Sequence, residues 1–330
     1  MTHLRAGIAA IALVAATPLT AQELTLYSGR GETLVEPIIE TFTARTGIDV
    51  TVRYGGTSEL AVLLQEEGDI SPADLYWAQD VAALGNVADL FAPLPEAITE
   101  RVDAGLRDAE GRWVGTSGRA RLMIYNPDRI DEDELPATMA EAADPRFAGR
   151  MALAPTNGSF HAHLTALRVT EGDDAARAWI TAVADNDPVI GSNNTAMHQL
   201  LADGEADFAI TNNYYLSRFL DSDPDFPVRH ALFEEGDIGN LVMVAGIGML
   251  ASSDNHDAAE EFVDFLLGET AQQYFTGNVF EFPVTGDGIA AQTDLGVSYS
   301  DVQSAAPEID LNLLGDLDGT LEMLRDAGLL

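Results

Sequence analysis

The residues best suited to chemistry are Asn212, Asn213, Tyr214 and Tyr215, which follow a short apolar stretch at residues 206–210. Two adjacent phenols at the end of a strand-like apolar run are an odd choice for packing alone. A phenol beside an amide-rich loop can ionise when a hard, highly charged cation sits on it, since a metal can deprotonate its own ligand. Ferric iron fits that description. The residues alone leave a second reading open, in which one tyrosine packs and the other is exposed. The chain has no cysteine, so any metal must be held by oxygen or imidazole. His161 and His163 stand two apart, which on a helix points them to different faces and argues against a shared metal. No Gly-x-Ser-x-Gly elbow or clustered Ser/His/Asp set is present, and Gly29–Gly31 lacks the third glycine of a dinucleotide fingerprint.

The elements that must position these groups are legible from periodicity. Residues 24–27 read as a strand, and Leu34, Ile38 and Phe42 recur at helical spacing before Gly47 stops the run. Ile48, Val50, Val52 and Tyr54 alternate as a second strand; Ser58 can cap a helix through Gln65, and residues 72–77 read as a third strand. This β-α-β-α-β order predicts a parallel sheet with helices on its faces. The theme repeats with strands at 121–125, 151–154, 208–211 and 241–250, and helices at 160–169, 174–184, 196–201, 255–267 and 320–330. The simplest account is two α/β lobes. Open sheets of this kind bind ligands beyond the carboxyl ends of their strands. Polar clusters stand at such junctions: 28–32, Gln79-Asp80, 156–159, 192–195 and 212–215. Each alone could be turn or cap chemistry; their shared kind of position points to a common cleft.

Composition bounds the setting. Residues 1–21 combine Arg5, an apolar run at 6–16 and a small-residue cleavage site at Thr20-Ala21, the pattern of a secretory signal peptide. The remainder is long enough to hold a core without disulfides. The formal net charge is −37, and all 17 cations are arginine. Such acidity repels nucleic acid and anionic membranes, which excludes phosphate-backbone binding as a main activity.

Beyond these readings, the chain resembles the periplasmic ferric-ion-binding proteins of bacterial iron ABC transporters. The resemblance rests on Tyr27-Ser28-Gly29-Arg30, Ser71-Pro72-Ala73-Asp74-Leu75, the stretch 113–125 with Ser117-Gly118-Arg119, Ala154-Pro155-Thr156-Asn157-Gly158, Asn212-Asn213-Tyr214-Tyr215 and Glu281-Phe282-Pro283-Val284. It implies the type II periplasmic-binding-protein fold: two lobes, each a mixed, mostly parallel sheet flanked by helices, joined by crossing strands. Residues 22–119 with about 242–292 would form one lobe, and 120–241 with about 293–330 the other. Tyr214 and Tyr215 would ligate Fe³⁺ as phenolates in the cleft. A synergistic anion such as carbonate or phosphate would sit among Arg119, Thr156, Asn157, Gly158, Asn194 and Asn212. An inner-membrane ABC permease would be the partner, and the protein would be a free periplasmic monomer rather than an enzyme.

The chain departs from that pattern at several ligand positions. Gly31 stands where members carry a histidine, Glu32 where one subgroup has a tyrosine, Gln79 where some have a glutamate, and Phe160 where another subgroup has a third cleft tyrosine. Glu32 is the first choice for a further protein ligand and Gln79 the second; the alternative for Glu32 is a helix first-turn carboxylate favoured by the macrodipole. Two other readings compete. The same fold could bind an organic anion, a phosphonate or carboxylate, with neutral tyrosines. A secreted hydrolase using cleft carboxylates has the least support, because no acid/base pair stands out.

Overall fold

The computed structural model describes residues 23–286 and 297–330. The expected signal peptide at 1–21 and the expected lobe boundary near 292 lie outside the described residues. Among the described residues ten strands follow one another: β1 Glu23–Ser28, β2 Asp49–Tyr54, β3 Leu75–Ala78, β4 Phe91–Ala92, β5 Trp113–Tyr125, β6 Met151–Leu153, β7 Val189–Ile190, β8 Phe208–Asn212, β9 Arg229–Ala231 and β10 Val242–Leu250. The helices between and after them are α1 Glu32–Thr46, α2 Thr57–Glu67, α3 Val81–Asn86, α4 Glu96–Thr99, α5 Gly158–Glu171, α6 Asp173–Asp185, α7 Asn194–Ala202, α8 Asn213–Ser222, α9 His256–Leu266, α10 Glu269–Tyr274, α11 Tyr299–Ala305 and α12 Leu317–Asp326.

The strands follow one path, β2-β1-β3-β10-β5-β8-β6-β7, with β4 beside β10 and β9 beside β5. The pairings β1–β2, β1–β3, β6–β7 and β6–β8 are parallel, as alternating strands and helices demand. The antiparallel pairings all involve β5 or β10. β5 is longer than its predicted core at 121–125. Its first part, from Trp113 to Ala120, pairs with β10, and from Arg121 onward it pairs with β8 and then β9. One strand therefore belongs to both lobes, and the chain crosses a second time between β9, which pairs with the last part of β5, and β10, which pairs with its first. A third connection runs through the segment after α10: a single π-turn at Phe275–Val279, then Phe280 in the left-handed region at φ 63°, then Phe282 bridging back to Gly118.

Local chemistry explains the joints. Gly47 ends α1 at φ 76°, a conformation that costs glycine little. The start of α2 differs from expectation: Gly56, not Ser58, precedes the helix and no side chain caps it. The first helical residue, Thr57, turns its hydroxyl to the Gly29 carbonyl at 3.1 Å instead, tying α2 to the β1–α1 loop. Gly29 has no room for anything larger, since a β-carbon there would lie 2.3 Å from Thr57 Oγ1. The first lobe's core is an apolar cluster in which Phe42 and Trp77 both meet Phe262 edge-on, with ring centroids 4.9 and 6.2 Å apart. In the second lobe, Ile124, Ala152, Ala209, Leu216 and Val228 are packed together.

Candidate functional site

Tyr214 and Tyr215 lie in the first turn of α8, two and three residues past the end of β8, not in the strand itself. The turn is pinned by Asn213. Its Oδ1 accepts from the Ala120 amide at 2.9 Å, and its Nδ2 donates to the Phe280 carbonyl at 3.3 Å. The two phenols are thus held between β5 and the third connection. Their rings are 4.5 Å apart and tilted by 33°. A helix first turn carries unpaired backbone N–H groups, which favour negative charge on these oxygens.

They open into a cavity of about 380 Å³ lined from both lobes. Gly29, Thr57, Gln79 and Asp80 contribute from the first lobe; Arg119 comes from β5; Asn157, Gly158, Ser159, Asn212 and Arg218 come from the second. Asp80 caps α3 by accepting from the Ala83 amide at 3.2 Å. Asn157 caps α5 by accepting from the Ser159 amide at 2.9 Å, which leaves the start of that long helix facing the cavity. Asn194 is buried behind it, with Nδ2 3.4 Å from Asn157 Oδ1 and its own Oδ1 unpartnered. The structure therefore brings together Tyr214, Tyr215, Gln79, Arg119, Asn157, Gly158 and Asn212, with Asn194 one layer back. It does not bring Glu32 or Thr156 there. Both are exposed and outside the cavity lining. Glu32 sits in the first turn of α1, the macrodipole-favoured place, where its charge is felt by the Tyr54 phenol. Phe160 is buried, its ring centroid 6.5 Å from that of Trp179.

The electrostatics are lopsided. Arg119 is buried with its Nη1 lacking any partner. Arg218, one turn along α8, lies 4.9 Å over the Tyr214 ring and 5.8 Å from that of Tyr215. Arg121 is wholly buried beneath them. Among the described residues, none of these three forms an ion pair, although the chain has 54 acidic residues. Burial, with the neighbouring Tyr215 second, pushes the Tyr214 phenol up to about 12, while Arg119 and the Asn212 amide pull it down. Without a strong Lewis acid this phenol keeps its proton.

The sequence reading missed Arg121, Arg218 and Glu281. Glu281 reaches the cavity wall from the third connection, holding Arg30 at 2.8 Å and accepting from Ser117. Burial, the largest single influence, would raise its carboxyl, but Arg30, Ser117 and Arg119 together outweigh it and hold the group below the usual range. An arginine inside the apolar stretch after Ala120 was the available signal for Arg121. His163 is fully buried and hydrogen-bonds the Ile238 carbonyl at 2.7 Å. His161 turns to the Pro155 carbonyl at 2.8 Å, so the two imidazoles do point apart.

A two-lobed α/β chain whose cleft gathers cations, amides and paired phenols has the build of a periplasmic-type solute-binding protein. A sequence profile for bacterial extracellular solute-binding proteins matches residues 71–303, and the chain belongs to that family. It is 34% identical over 316 residues to the Fe(3+)-binding periplasmic protein of Serratia marcescens, spanning 94% of this chain and 91% of the relative. It is 29% identical to the major ferric iron-binding protein of Neisseria meningitidis serogroup B, across 99% of both chains. The crystal structure of iron-bound HitA from Pseudomonas aeruginosa superposes with a TM-score of 0.83 at 30% identity, covering 93% of this chain and 99% of that one.

Proposed function

We propose that this protein captures ferric iron on Tyr214 and Tyr215 in the interlobe cleft and delivers it to an inner-membrane ABC permease for iron uptake. The single observation that carries this reading is the pair of phenols on one helix turn, 4.5 Å apart and facing unpaired arginines. Fe³⁺ on two phenolates keeps one positive charge, and Arg119, Arg218 and the buried Arg121 add three more against two carboxylates on the wall, Asp80 and Glu281, the second already paired with Arg30. That surplus calls for a small anion with more than one negative charge, such as carbonate or phosphate. Arg119 is its natural fork, with the start of α5 at Asn157 and Gly158 as the opposing cradle. Gln79 offers a neutral oxygen from the other wall. The relatives' ferric-binding names support the metal.

The lobes we propose are residues 22–119 with about 242–292, and 120–241 with about 293–330. The partner switch of β5 at Ala120–Arg121 and the start of β10 at Val242 support the first two boundaries. The protein works as a periplasmic monomer by capture and release, with lobe closure as the mechanical step and no bond made or broken.

The test is direct. Ferric salt with carbonate or citrate is added to the metal-free protein, and a visible phenolate-to-iron absorption band is expected. Tyr214→Phe with Tyr215→Phe should abolish it, and reduction in the presence of a ferrous chelator should strip the iron. The unpaired Arg119 also suits the second reading, an organic anion bound beside neutral tyrosines. A colourless protein that gains thermal stability with a phosphonate or carboxylate would favour that reading and sink the first.

A further inference from the structure

We propose that Arg121 is a positioning residue for Tyr214, acting through the side-chain amide of Asn212 to hold the phenol oxygen ready for a cation. This rests on the ferric reading of the cleft. Strand register sets the arrangement, because Arg121 on β5 lies directly opposite Asn212 on β8. Arg121 is wholly buried, yet its hydrogen bonds go only to neutral groups: Nη2 to the Ile210 carbonyl at 2.7 Å, Nη1 to Asn212 Oδ1 at 3.3 Å, and Nε to His163 Nδ1 at 3.5 Å. His163 Nε2 faces the Ile238 carbonyl at 2.7 Å. A carbonyl can only accept, so Nε2 carries the proton and Nδ1 presents a lone pair to Arg121.

The chain of bonds has one direction. With Asn212 Oδ1 committed to Arg121, the amide cannot flip. Its Nδ2 therefore points the other way, donating to Ser159 Oγ and to the Tyr214 hydroxyl oxygen, each at 3.1 Å. An amide has two such hydrogens, and both are used. Asn212 then has no donor left for a bound anion; it serves the phenol instead. Tyr214 oxygen is fixed as an acceptor on its protein side, so its proton or its metal bond must lie on the cleft side. Burying an unpaired guanidinium costs several kcal/mol unless something offsets it. Two phenolates formed above Arg121 on iron binding supply that offset, and none of the 54 acidic side chains does so among the described ion pairs.

The experiment is a double-variant cycle read by iron competition and by the absorption band. Arg121→Met, which keeps the volume, should lower ferric affinity about 10- to 100-fold, the usual loss when an outer-shell partner is removed, and should shift the band. That loss should disappear in a Tyr214→Phe background and persist in a Tyr215→Phe background. A folded Arg121→Met protein with unchanged affinity and band, or one with equal losses in both backgrounds, overturns the proposal. If the methionine variant does not fold, the metal-free wild-type protein decides by NMR. Two slowly exchanging Asn212 amide protons that move on Tyr214→Phe support the chain, and an amide exchanging at the solvent rate refutes it. Failure of the ferric reading itself would show as no band in any variant, while the amide signals stand apart from it.

Discussion

At the scale of single residues, the cleft divides into groups that can meet a cation and groups that can meet an anion. Tyr214 and Tyr215 belong to the first, Arg119 and the start of α5 to the second. Arg119→Gln is therefore expected to weaken iron retention about 10- to 100-fold and to remove its dependence on added carbonate or phosphate. Glu32→Gln, exposed and outside the lining, should change retention by less than about twofold, as surface changes usually do. Competition titration measures both, and the opposite order would move the third protein oxygen to α1. The phenols were legible in the sequence because adjacent tyrosines beside amides have few ordinary uses. Arg121 and Glu281 were not. Their roles depend on which strand faces which, and that is set by pairing between segments about 90 and 160 residues apart in sequence.

At the scale of elements, hydrophobic periodicity carried most of the architecture, but not α8, the helix that bears the two phenols, nor the short α3 capped by Asp80. Boundaries slipped where a side chain had a tertiary partner. Thr57 begins α2 because its hydroxyl is used by the Gly29 carbonyl, and β5 extends back to Trp113 because β10 pairs with it. The two glycines of the β1–α1 loop make a contrast that the sequence could not. A β-carbon on Gly29 would meet Thr57 at 2.3 Å from Oγ1 and 2.9 Å from Cα, whereas Gly31 has nothing within 4 Å and an ordinary φ of −62°. Gly29→Ala should destabilise by about 1–3 kcal/mol through overpacking. Gly31→Ala should fall within about 0.5 kcal/mol of the wild type, as the lost loop freedom offsets a poorer cap. Urea unfolding of the two variants checks this, and equal midpoints would refute the crowding at Thr57.

At the scale of the whole molecule, acid should act before the bulk of the carboxylates titrate. Burial holds His163 down to about 3 and His198 down to about 4. An unfolded chain takes up these protons near pH 6.5, and the folded one refuses them. Stability is therefore full above that pH and falls as pH drops below it, by up to about 1.4 kcal/mol per pH unit for each histidine. The Arg30-paired Glu281, whose carboxyl is held low, adds a loss in the same direction only in stronger acid. Urea midpoints should decline steadily from about pH 6.5 to pH 4.5, and His198→Phe should flatten about half of that slope. A midpoint flat down to pH 5 would show that these imidazoles charge freely in place. The partner switch along β5 has a mechanical corollary. Arg119 and Arg121 stand on either side of Ala120, beside the point where the strand changes partner from β10 to β8. A swing of the lobes hinged at that partner switch would turn the two guanidiniums relative to each other, so that letting the cargo go and dismantling its electrostatic cage would become a single stroke.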